Sequence, residues 1–107
     1  MTIENWNIEA ETGYKPMTTF YTDFSIAEKF GINAVKSTFD DIMKNADCLP
    51  YKYLTEFVMA LNWKCWRWYQ HNDALSKLYA DCFYKAQEFA YKHLKGEKLE
   101  YFISTTD

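Results

Sequence analysis

Apolar residues recur at helical spacing along most of this chain, and four stretches follow that period closely enough to predict elements. From about Asn33 to Asn45, with Ala46 just beyond, the apolar positions Val35, Phe39, Ile42 and Met43 keep steps of three, four and seven residues. From about Tyr51 to His71, residues Tyr51, Leu54, Phe57, Val58, Leu61, Cys65, Trp68 and Tyr69 share one broad face at 100° per residue. The next stretch repeats the pattern with Leu75, Leu78, Tyr79, Cys82, Phe83, Ala86, Phe89 and Ala90. Leu99, Phe102 and Ile103 mark a last short helix.

Punctuation residues sit where these helices should start and stop. Asp23 or Ser25 can cap a short helix that Gly31 would end. Leu49-Pro50 breaks the chain ahead of Tyr51, and a proline suits a helix's first turn. Asn72 or Asp73 can cap the fourth helix, and Lys92, His93 and Lys95 before Gly96 form a C-terminal signal. Residues 1–24 lack a helical period. Thr12-Gly13-Tyr14-Lys15-Pro16 reads as a turn, and Thr18-Thr19-Phe20-Tyr21-Thr22 is β-branched and aromatic, hence extended. The pattern predicts an all-α fold: a bundle of about four to five helices (25–107) behind an extended N-terminal arm (1–24) held by Trp6, Phe20, Tyr21 and Phe24. Helices three and four should pack antiparallel across a tight turn.

Composition agrees with one domain over residues 1–107. The chain is 49% hydrophobic and 20% aromatic, with 3 Gly and 2 Pro, enough for an aromatic core and too few turn formers for a β-sandwich. A net charge of −3 gives no overall attraction to a phosphate backbone, so nucleic acid is not the expected partner. Glu4, Glu9 and Glu11 precede Lys15, unlike the basic start of a secretory signal, and no uncharged run approaches the ~18 residues of a membrane span. Cys48, Cys65 and Cys82 lack a C-x-x-C pairing and read as reduced thiols. A cytoplasmic location is expected, with no membrane contact.

Catalytic and metal chemistry find little purchase. His71 and His93 lie in different elements without ligand partners at motif spacing, and Cys65 and Cys82 fall on core faces. No nucleophile elbow, phosphate-cradling glycine loop or H-E-x-x-H is present. No enzyme, cofactor or metal site is expected. Ile26-Ala27-Glu28-Lys29-Phe30-Gly31-Ile32 resembles the first helix and turn of helix-turn-helix DNA-binding proteins, which makes a small DNA-binding regulator the alternative reading. Past the glycine the pattern departs. Ser37 and Asp40 stand where that family has apolar residues, and Asp40 and Asp41 would repel phosphate.

The unusual feature lies on the back of helix three. Measured from Leu61, Met59, Trp63 and Trp66 fall at about 160°, 200° and 140°, opposite the core stripe, with Lys52, Glu56, Arg67 and Gln70 around them. Either the N-terminal arm covers this cluster, or a protein partner or second copy does. Met59, Trp63, Trp66 and Arg67 are therefore the candidate interaction surface.

As a whole the chain resembles small bacteriophage- and prophage-encoded proteins to which no activity is assigned. The resemblance is carried by Phe20-Tyr21-Thr22-Asp23-Phe24, Ile26 to Gly31, Leu61-Asn62-Trp63-Lys64 and the ending Tyr101 to Asp107. It implies a bacterial cytoplasm and a small protein–protein interaction protein acting on phage or host machinery.

Overall fold

The computed structural model describes residues 16–106, and these form five α-helices and one 3-10 turn, with no strand among the described residues. The helices are α1 (Pro16–Glu28), α2 (Ile32–Lys44), α3 (Tyr51–Trp68), α4 (Asp73–His93) and α5 (Glu97–Thr106). The 3-10 turn Ala46–Cys48 links α2 to α3. The expected all-α bundle is the fold observed.

The expected extended arm is corrected at its C-terminal end: residues 16–24 are the first turns of α1. Pro16 opens the helix, where its missing N–H costs nothing. Phe20, Phe24 and Ala27 follow at helical spacing and are buried. Three β-branched residues here favour an extended chain locally, but the burial of two phenylalanines outweighs that preference. Asp23 and Ser25 are thus interior to α1 rather than its caps. The remainder of the expected arm, with Trp6, lies outside the described residues.

Phe57 of α3 is the hub of the core. The rings of Phe20, Phe39 and Phe24 lie 5.3, 5.9 and 6.3 Å from it, so α1 and α2 are both anchored on this side chain. Helix α1 runs parallel to α3: Phe20 meets Phe57, Ser25 meets Lys64 and Glu28 meets Trp68. Helix α4 returns antiparallel, starting where the Ser76 hydroxyl donates to the Cys65 carbonyl at 3.0 Å. Helix α5 closes the far end, with Tyr101 edge-on to Tyr51 at 5.3 Å and Tyr91 edge-on to the buried Phe102 at 5.5 Å.

Several predicted boundaries hold. Gly31 takes φ 107°, a conformation side chains rarely adopt, and turns the chain from α1 into α2. Asn72 caps α4, its side-chain oxygen accepting from the Leu75 N–H at 3.1 Å. Helix α3 is shorter than its apolar stripe. It ends at Trp68, Gln70 adopts φ 64°, and Tyr69 leaves the core face to stand exposed. Around α3 the buried set is wider than one stripe, because Tyr53, Thr55, Ala60 and Lys64 join Leu54, Phe57, Val58 and Leu61. That breadth makes α3 the central helix, covered by α1, α4 and α5 on successive sides.

Candidate interaction surface

One strip of α3 remains for solvent, and the chemistry beneath it holds it in place. Lys64 sits on the boundary between the core stripe and that strip, with its side chain only 2% exposed against 12% for its partner Glu28. Its ammonium lies 3.0 Å from Glu28 Oε2, donates to Ser25 Oγ at 2.6 Å, and stands 4.0 Å above the Tyr21 ring. Glu28 Oε2 also accepts from the Trp68 indole at 3.0 Å and from the Tyr79 hydroxyl at 2.5 Å. One carboxylate at the end of α1 therefore ties together α3 and α4. Among the described residues every buried side-chain polar atom has a partner.

The electrostatics follow from burial. Desolvation pushes the Lys64 ammonium below its ordinary value, and the hydrogen bond and charge of Glu28 oppose it. Burial, then the hydrogen bond to Glu28, drives the Tyr79 hydroxyl far above the ordinary tyrosine range. Burial above all raises the Cys82 thiol to about 11, with Asp40 and Asp81 adding to the rise and Lys85 and Lys36 opposing it. Ser25 and Lys64 have the atoms of a nucleophile and its base, but the Ser25 hydroxyl donates to the Tyr21 carbonyl at 3.0 Å and Lys64 is held by a carboxylate. These groups bind one another.

Above this network stands the strip that the apolar pattern singled out. Trp63 and Trp66 are 53% and 64% exposed, and Met59 is half-buried beside them. Trp66 meets the ring of exposed Tyr69 edge-on at 5.4 Å. The guanidinium of exposed Arg67 lies 4.9 Å from the Trp68 ring, which sets the direction of its planar fork. Tyr21, Asn62, Trp63, Trp66 and Arg67 line an open groove of about 430 Å³. Of the four residues expected at the surface, Trp63, Trp66 and Arg67 line the groove with Tyr21 and Asn62, while Met59 is half-buried and is not among its lining residues.

The buried network was not foreseen from sequence. Its visible signal was a lysine within 60° of Leu61 and next to Trp68 in helical projection, on the edge of an otherwise apolar stripe.

Other candidates are dispersed. Among the described residues no three His, Cys, Asp or Glu side chains converge as metal ligands. His71 is exposed, and exposed His93 stacks on Phe89 with ring centroids 5.0 Å apart. The three cysteines are free, with Cys48 exposed, Cys65 half-buried and Cys82 buried. On α2, Val35 and Phe39 point into the core and leave Lys36, Asp40, Asp41 and Lys44 outside, with Lys44 3.9 Å from Asp41. Beside the α1–α2 turn, Ile26 and Phe30 are exposed along a groove rimmed by Asp23 and Asp41. No helix among the described residues is long and apolar enough to cross a membrane. No protein-family model, curated protein or solved structure matches the chain.

Proposed function

We propose that this chain is a non-enzymatic protein–protein interaction protein whose contact surface is the Met59, Trp63, Trp66 and Arg67 face of α3. One observation carries the reading: two tryptophans stand more than half exposed, side by side, on the helix that is otherwise most deeply packed. Burying a large aromatic side chain contributes roughly 1.5–3 kcal/mol, a stabilisation this chain forgoes twice on one strip. Tryptophan, tyrosine and arginine are the residues that most often dominate binding energy, and here they stand on a helix that the Glu28–Lys64 pair ties to α1. The resemblance to phage and prophage proteins implies a bacterial cytoplasm, and the partner we propose is a phage or host protein.

A DNA-binding regulator built on the α1–α2 hairpin draws no support from the outer face of α2, where Asp40 and Asp41 offset Lys36 and Lys44. The experiment is a comparison of the parent chain with a Trp63→Ala, Trp66→Ala chain as baits in a bacterial lysate. The double variant should keep its helical circular dichroism, and a partner identified by mass spectrometry should be retained at least about 10-fold less. Equal retention by the two baits would contradict the reading.

A further inference from the structure

The polar lining of the groove on α3 is rich in donors. Trp63 and Trp66 each bring an indole N–H, Asn62 a carboxamide and Arg67 a guanidinium, and the acceptors are the Asn62 carbonyl and the Tyr21 hydroxyl. Trp68, deeper in the fold, gives its indole N–H to Glu28 at 3.0 Å. Among the described residues the donors of Asn62, Trp63 and Trp66 meet no such acceptor, and no carboxylate pairs with Arg67. The aromatic surfaces form a row. Trp63, Trp66 and Tyr69, all exposed, follow in steps of three residues, so the row runs about 9 Å along the axis of α3. Tyr21 of α1, whose ring lies 4.0 Å from the Lys64 ammonium, completes the groove. We infer that the occupant is a proline-rich segment of the partner in the polyproline II conformation, flanked by a carboxylate that pairs with Arg67. The inference rests on this face being the contact surface, and it names the chemistry of the partner.

Hydrogen-bond chemistry, charge and spacing select this ligand over the other forms a peptide can take. A helical ligand bonds its carbonyls internally and would offer the two indoles side chains only. A strand needs a sheet edge, whereas the backbone groups within α3 are closed in the helix's own ladder. Polyproline II leaves every carbonyl free to accept, and proline adds no N–H that an aromatic ring would leave without a partner. One turn of that helix takes three residues and rises about 9.3 Å, close to the length of the aromatic row. Two proline rings three positions apart therefore rest on Trp63 and Tyr69, with Trp66 between them donating to a carbonyl. Arg67 is the one charged side chain lining the groove, and its planar fork matches a carboxylate. Because its rings already hold such a segment extended, it loses little conformational freedom on docking.

The test titrates the full chain, labelled with ¹⁵N, with an acetylated synthetic peptide of six prolines carrying two glutamates at each end. The indole N–H signals of Trp63 and Trp66 should move and saturate. A peptide with alanines in place of the prolines, and one with lysines in place of the glutamates, should each bind at least about 10-fold more weakly. Arg67→Glu changes an exposed side chain and should reverse the charge preference, making the lysine-flanked peptide the tighter ligand. Equal binding of the proline and alanine peptides would make a helix the occupant and overturn the proposal. So would indole signals that stay in place at about 1 mM peptide, or a preference for glutamate that Arg67→Glu leaves unchanged. None of these results alters the comparison of the Trp63→Ala, Trp66→Ala bait with its parent, so the two readings fail separately.

Discussion

Glu28 accepts from Lys64, Trp68 and Tyr79 at once, so its removal strands three donors in a place water barely enters. Breaking a buried ion pair from one side costs about 3–5 kcal/mol, because the abandoned charge has no solvent to replace its partner. Glu28→Ala should therefore lose stability on that scale in urea titration, and a loss under about 1 kcal/mol would show that the pair is effectively solvated. The buried thiol makes a second residue-level prediction. Cys82 is raised from 9.0 to about 11, so the unfolded chain gives up this proton before the folded one does. Its contribution is complete below pH 9 and is lost as pH climbs from 9 towards and beyond 11. The stability difference between the parent and Cys82→Ala should shift by about 2–3 kcal/mol against the parent over that window. Lys64 and Tyr79 also titrate in alkali, with opposite signs, and are common to both proteins, so they largely cancel in this difference. A constant difference from pH 8 to 11 would contradict the burial of the thiol.

At the scale of elements, Leu61 is fully buried on α3 and Leu61→Ala should cost about 2–5 kcal/mol. Asn72→Ala should cost about 1 kcal/mol, because the Leu75 N–H loses the only side-chain cap that opens α4. Both residues were legible in the sequence, for the same reason: the helical period and the capping residue are local signals that packing here reinforces. Helix α1 was not legible, since Thr18, Thr19 and Thr22 speak locally for an extended chain. What makes it helical is Phe57, thirty-seven residues after Phe20, and no local rule reports so distant a contact. The polar network was hidden for a related reason. Glu28 and Lys64 look like surface residues one at a time and Tyr79 like a core aromatic, and only the packing of α1 along α3 and α4 brings the three together. The exposure of Trp63 and Trp66 was legible, because both oppose the core stripe within a single helix, where phase decides; Met59, on the same face, is half-buried.

For the whole molecule, surface and core separate cleanly on α3: one strip presents Trp63, Trp66 and Arg67, and the other sides carry the fold. Substitutions on that strip should leave folding stability within about 0.5 kcal/mol while changing association, the reverse of Glu28→Ala. Duplex DNA should not be bound at sub-micromolar concentration near physiological salt, given the mixed charges on α2. Tight, salt-sensitive binding lost on Lys36→Glu would restore the regulator reading. The most direct measurement places a photo-crosslinking amino acid in a living bacterial host at position 66, and in a parallel chain at position 84. Tyr84 is an aromatic of similar exposure, 63% against 64% for Trp66, on another helix, which controls for mere accessibility. The account predicts a discrete adduct to one partner protein from position 66 and none from position 84. Adducts equal at both positions, or absent from both, would contradict the claim that this face of α3 is where the protein does its work.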